Sequence, residues 1–252
     1  MLSRIQCYIK KDVRIGYANY IESSVVIHRN VKIGNNNKIY GNTIIHPNTE
    51  IGDNNIIFPN NIIGELPTST YTTCHDYDFS NPLLKGVRIG NHNVLYNENW
   101  IQSGLRYKTT IEDNNILYGK IKIGHDVIIK NNTSIHTDSI LGGNSIFMDN
   151  STVGMRAAII QNVVIGNYSM IGLNNTITKN VFPFFVNINN KIKRINTKKT
   201  SEDILKYEQI LRDINGLVSN KKYDISDYDI PEDIRKILID YIIHIKSFES
   251  MV

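Results

Sequence analysis

Large apolar residues fall at every sixth position along this chain. One series runs from Ile9 through Ile15, Ile21 and Ile27 to Ile63. A second covers Ile89, Leu95 and Ile101, and a third runs from Ile111 through Leu117 and Ile123 to Ile177. Together they make twenty-five positions in one six-residue series, broken twice. An amphipathic helix would space its apolar residues by three and four, and a β-sandwich would alternate with period two. Gly often follows the apolar residue, as at Gly16, Gly34, Gly124 and Gly142. A small or amide residue stands four after it, as at Asn37, Thr43, Thr133 and Ser145. Gly and Asn tolerate the backbone angles of a tight corner. Each hexad therefore predicts a short strand and a corner, and three hexads predict one triangular coil. The expected fold is all-β with a helical tail: a parallel β-helix of about eight coils, roughly 40 Å tall at about 4.8 Å per coil, followed by a small α-helical C-terminal region.

Residues eighteen apart share a vertical column. The column Ile9, Ile27, Ile45 and Ile63 continues at Ile101, because the first break delays the series by twenty residues. The second break inserts four residues, so the next members are Ile123, Leu141, Ile159 and Ile177. Both insertions therefore leave the prism from one edge. The longer one, residues 64–88, carries Tyr71, His75, Asp76, Tyr77 and Asp78. Long loops in compact domains are often functional, although a tolerated surface insertion fits equally well. Two residues past the column stand His125, Gly143 and Gln161, one above another. His28 and His46 lie lower on the same edge, as a ladder of stacked rings or a binding pair, and His92, His136 and His244 have no distinguishing context.

A histidine titrates near neutrality and can take a proton from an attacking amine or hydroxyl. Acyl transfer also needs a donor for the oxyanion, and the N–H of Gly143, one coil from His125, has no side chain in its way. Asp126 follows His125, but neighbouring strand residues point to opposite faces. A direct His125–Asp126 pair is not expected unless the corner bends the chain.

After Phe185 the hexads end, which divides the chain into a β-helix of residues 1–185 and a tail of residues 186–252. Lys191, Lys193, Arg194, Lys198 and Lys199 open the tail. With Lys179 they are candidates for holding the phosphates of a cofactor, against the alternative of a solvated linker. A helix is expected after Thr200, with Asp203 in a capping box and Gly216 at its end. A second is expected from Pro231, with Ile234, Leu238, Tyr241, Ile242 and Ile245 on its apolar face.

Composition removes several classes. A net charge of +4 is too weak to argue for nucleic acid as the partner. Cys7 and Cys74 allow one bridge at most and no zinc-type cluster, so no metal is expected. The N-terminal residues lack the apolar run of a signal peptide, and no stretch reaches the roughly 18 apolar residues of a membrane span. A cytoplasmic setting follows as the expectation.

The runs KIGHDVIIKNNTSIHTDSILGGN and GMRAAIIQNVVIGNYSMIGLNNTITKNVFPF, the Gly64–Glu65 pair before the long loop and the helical tail carry a resemblance. They resemble the hexapeptide-repeat acyltransferases, in particular the acyl-carrier-protein-dependent UDP-N-acetylglucosamine O-acyltransferases of lipid A synthesis. The related N-acetyltransferases of nucleotide-linked amino-sugars resemble it too. The resemblance implies a left-handed β-helix and a homotrimer with sites between subunits. It implies His125 as the catalytic base followed by its acid Asp126, Gly143 as the oxyanion donor, and Gln161 lining the cleft. Gln102, Asp126, His75 and Asp78 are the further candidates for substrate contact. The chain departs from the lipid A enzyme at Lys122, Asn144 and Ile160, where that enzyme has histidines, and at Gln102-Ser103-Gly104, where it has His-Arg-Gly.

These departures lead to the expectation of an acetyl or short acyl group passing from coenzyme A to the amino group of a nucleotide-linked sugar. The column Asn144, Asn162 and Asn180 supports a short donor, because a row of amides is a poor wall for a hydrocarbon. Met155, Ile160, Phe182 and Phe184 could line an apolar groove at another angle. The alternatives are O-acyl transfer from acyl carrier protein to UDP-N-acetylglucosamine and a non-catalytic scaffold. A γ-type carbonic anhydrase would need a pair of histidines five apart, which the sequence lacks.

Overall fold

The computed structural model describes residues 8–67, 84–198 and 200–250. Cys7, Cys74, His75 and Asp78 lie outside the described residues. Each hexad forms a strand, most of two residues, from Tyr8–Ile9 to Thr176–Ile177. With two tail strands, Phe185–Ile188 and Lys191–Ile195, the hexad strands stack into three sheets of nine, eight and ten members, parallel except where the last tail strand folds back. The nine-stranded face carries the column read from the sequence: Ile45 pairs with Ile63, Ile63 with Ile101, Ile101 with Ile123 and Ile123 with Leu141. Both insertions are therefore absorbed without a slip of the core. The solenoid has about nine turns rather than eight: the first face holds nine hexad strands, and Phe185–Ile188 adds one parallel strand to the third.

The core is a pile of side chains such as Ile27, Ile45, Ile63, Ile101 and Ile135, all fully buried. Their outward neighbours on each strand are mostly polar or half-buried. Three residues past a core position the chain turns through a single left-handed residue, as at Asn30 (φ 61°), Asn36 (φ 56°), Asp126 (φ 60°) and Asn144 (φ 59°). Asn and Asp dominate there because their side chains tolerate that conformation better than other non-glycine residues do.

On the edge between the second and third faces, two side-chain ladders staple successive coils. On the inner ladder Asn37 Oδ1 accepts from the Asn55 N–H, Asn55 Oδ1 from Asn93 and Asn93 Oδ1 from Asn115. On the outer one the N–H groups of Asn35, Asp53, Asn91, Asp113 and Asn131 donate to Asp53, Asn91, Asp113, Asn131 and Asp149. Amides alternate with carboxylates, so no two acids occupy adjacent rungs.

The tail differs from the expected division at residue 185. Val186 and Asn187 continue the third face in parallel with Met170 and Ile171, and Lys191–Ile195 folds back antiparallel on them. A 3₁₀ turn over Glu202–Tyr207 follows, and its cap is Ser201, whose hydroxyl accepts from the Asp203 N–H, rather than Thr200. Helix α1 spans Glu208–Ser219 and runs through Gly216, where an end was expected, because Val218 still belongs to the core and the left-handed residue comes later, at Lys221. Helix α2 spans Glu232–Glu249. Both pack on the upper second face, where the outward residues Ile146 and Val164 are apolar and buried. Lower on that face the outward residues include Arg14, Lys32 and Arg88, which are exposed. Among the described residues no helix is long and apolar enough to cross a membrane.

Candidate active site

A groove of about 370 Å³ opens on the nine-stranded face at the edge where both insertions leave. His125, Gly143, Gln161 and Gln102 line it, with Trp100, Lys122, Gly124 and Ile140. Four of the sequence candidates thus converge on one concavity.

Asp126 is not in the lining; it is buried beneath His125. Its Oδ2 lies 2.8 Å from His125 Nδ1. Strand alternation argued against this pair, and the positive φ of Asp126 explains why it forms: the chain has already left the strand, and the corner swings the carboxylate back under the ring. This carboxylate oxygen holds the imidazole by its Nδ1 edge. The other oxygen, Oδ1, accepts the N–H groups of Leu105, Arg106 and Tyr107 at 2.9, 2.9 and 3.1 Å. Those donors belong to the shorter insertion. The Asp126 N–H donates to Thr109 Oγ1 at 2.9 Å. Burial pushes the Asp126 carboxyl up, but the His125 hydrogen bond and the three backbone donors outweigh it and hold it below the usual carboxylate range. An ionised Asp126 accepts only, so Nδ1 carries the hydrogen of this contact, and in the neutral ring the lone pair is on Nε2.

Nε2 faces Gly143. A Cβ built on Gly143 would stand 2.9 Å from His125 Nε2, closer than side-chain carbons approach, so any larger residue would displace the ring. No described residue accepts a hydrogen bond from the Gly143 N–H. Gly124 protects that donor, since a Cβ there would sit 2.7 Å from the Gly143 nitrogen. Sequence reading did not single out Gly124, Thr109 or Tyr107, because their roles depend on a neighbouring coil.

Above His125, two amides of the Asn144 column are paired. The Tyr107 hydroxyl donates to Asn144 Oδ1, and Asn144 Nδ2 donates to Asn162 Oδ1 at 2.7 Å. Asn180 leaves the row, its Oδ1 accepting from the Val164 N–H. The Tyr107 phenol is pushed up by burial and by the Asp126 charge, so it stays a donor.

The proposed phosphate contacts do not join this groove within the chain. Lys179 lines a separate cavity of about 630 Å³ with Phe182, Lys191 and Tyr241. Lys193 and Arg194 lie on the tail hairpin strand and line neither cavity. Two coils below Gln102, His46 stacks on His28 with ring centres 5.0 Å apart. Burial, then the His28 charge, lowers His46 to about 4. Its 3.8 Å approach to Glu65 is therefore a contact of a neutral ring at pH 7, not an ion pair. Among the described residues no group of three or more His, Cys, Asp or Glu could hold a metal ion.

No family model and no curated protein matches the chain. Solved structures do. A UDP-N-acetylglucosamine acyltransferase from Bacteroides fragilis is 24% identical, with a TM-score of 0.79 over 94% of this chain and 95% of that one. The Francisella novicida UDP-N-acetylglucosamine acyltransferase is 22% identical, with a TM-score of 0.76 over 97% and 88%. The one from Campylobacter jejuni is 21% identical, with a TM-score of 0.74 over 92% and 93%. The likeness spans prism and tail alike, and it establishes the architecture: a hexapeptide-repeat β-helix with a helical tail.

Proposed function

We propose that this protein transfers an acyl group from a thioester to a nucleotide-linked sugar, with His125 as the general base. The observation that carries the reading is the His125–Asp126 pair in an open groove, with the unused Gly143 N–H beside Nε2. His125 Nε2 accepts the proton of the attacking group as its O–C or N–C bond to the thioester carbon forms. The Gly143 N–H donates to the developing oxyanion. On collapse the C–S bond breaks, and the imidazolium returns the proton to the departing thiolate. Asp126 keeps the ring in the tautomer that can do this and stabilises its charged form. Gln161 and Gln102, which line the groove, hydrogen-bond the sugar in this reading.

Two finer readings share this centre. The likeness to UDP-N-acetylglucosamine acyltransferases over most of the chain supports a hydroxyl acceptor and a carrier-protein donor. The dyad supports it too, since a hydroxyl needs a base more than a neutral amine does. The hydrogen-bonded polar row of Tyr107, Asn144 and Asn162 supports the second reading, a short acyl group from coenzyme A, with an amino-sugar as acceptor. The site between subunits of a homotrimer, with Lys179, Lys193 and Arg194 reaching donor phosphates across it, belongs to the same proposal. The test is free-thiol release from acetyl-CoA and from hydroxyacyl carrier protein, each with UDP-N-acetylglucosamine and with UDP- and dTDP-linked amino-sugars. A preference above about tenfold for one donor–acceptor pair selects that reading. No turnover with any pair, in a protein of trimer mass, overturns both.

A further inference from the structure

Trp100, Lys122 and Ile140 are successive outward residues of the nine-stranded face, paired in register. Most of that row is apolar: Val26, Ile44, Ile62, Ile140 and Ala158. Lys122 breaks it with an exposed ammonium that lines the His125 groove. The ammonium stands 5.6 Å from the centre of the Trp100 ring. No carboxylate among the described residues pairs with it. Among the described residues no carboxylate lines the groove either, because Asp126 is buried and engaged with His125 and the insertion. Trp100 lines the same groove, so its ring is an aromatic neighbour of that charge.

We infer that Lys122, its ammonium over the Trp100 ring, forms an anion subsite beside His125 that holds the diphosphate of the acceptor. An ammonium donates and carries a full charge, which suits phosphate oxygens better than a neutral hydroxyl or amide. Coenzyme A also carries a diphosphate, but its pantetheine arm separates that group from the thioester. A cation in the same small groove as the base cannot reach it while the thioester is at Gly143. In a sugar nucleotide the diphosphate is joined directly to the ring that carries the attacking group. The inference rests on the acyltransferase reading only for the identity of the acceptor.

Trp100 is the single tryptophan of the chain, so its emission reports this place directly. Inorganic pyrophosphate, UDP and desulfo-coenzyme A are titrated separately into the full-length protein. Pyrophosphate and UDP are expected to give a saturable change that weakens with added salt. Lys122→Met should weaken both about tenfold, and Lys122→Arg should stay within about threefold. In turnover, Lys122→Met should raise KM for the sugar nucleotide about tenfold with kcat within about threefold. An unchanged UDP response in a normally folded Lys122→Met protein overturns the subsite. So does a response to desulfo-coenzyme A alone, which would assign the cation to the donor. Saturable UDP binding without any acyl transfer would sink the preceding reading and leave this one standing.

Discussion

Two edges of the prism are built from the same hexad and do opposite things with it. Between the second and third faces, the N–H two residues past the core position is consumed. Asn35, Asp53, Asn91, Asp113 and Asn131 each give theirs to a side chain of the next coil. Behind them Asn37, Asn55, Asn93 and Asn115 form a second, buried ladder. Between the first and second faces the corresponding N–H of Gly143 has no taker among the described residues, and the position below it carries an imidazole. The inner column there holds Val31, Thr49, Val127 and Val163 instead of a run of amides. One edge satisfies its backbone internally and gains stability. The other leaves a donor for something outside the chain. A repeat protein can thus confine chemistry to one edge by withholding side-chain partners there.

The largest effect should come from the open edge. His125→Ala is expected to lower acyl transfer by about 10²–10⁴-fold while the melting temperature stays close to that of the parent. A loss below about tenfold at neutral pH would remove His125 from the base role. Activity recovering at high pH would point to an amine acceptor.

The closed edge should answer in stability alone. Asn55 accepts from Asn93 and donates to Asn37 and to the Gly90 carbonyl, all buried. Asn55→Ala strands these groups, at about 1–3 kcal/mol for each that stays unsatisfied. Denaturant melts should show the loss, and kcat/KM in the folded protein should not move. A matching fall in activity would mean that the edges are coupled and the contrast is too simple.

The open edge also carries a pH liability. His46 has a folded pKa of about 4 against 6.5 when free, with His28 and Glu65 as its facing titratable neighbours. Between those values the unfolded chain binds the extra proton. Stability is therefore complete above about pH 6.5 and falls as the pH drops toward 4, by at most about 3 kcal/mol from this group. His28, lowered by burial and by the Lys10 charge, adds to the same trend. Melts of His46→Gln should lose most of that slope; an unchanged slope would place it elsewhere.

The smallest change tests the alternation of the outer ladder. Asn91→Asp puts three carboxylates on successive rungs between Asp53 and Asp113, and it removes the amide donor that now reaches Asp113 Oδ1 at 3.2 Å. A loss of about 1 kcal/mol, partly recovered in salt, is expected. No loss would mean that the alternation carries no electrostatic meaning.

The six-residue period already contained the prism, because a residue type repeated every eighteen positions can satisfy only one stacking. It also contained the register. The lengths of the two insertions place Ile63, Ile101 and Ile123 in one column, and the structure pairs them so. His125, Gly143 and Gln161 could be read as neighbours for the same reason. What periodicity could not contain is anything that depends on leaving the strand. Asp126 reaches His125 because one residue turns left-handed, and it stays ionised because Leu105, Arg106 and Tyr107 arrive about twenty positions away in sequence. The pairing of Asn144 with Tyr107 and Asn162, and the passage of α1 through Gly216, are likewise set by neighbours that no spacing names. Repetition encodes which coils touch; the orientation of a side chain at a corner is decided only when those coils are packed.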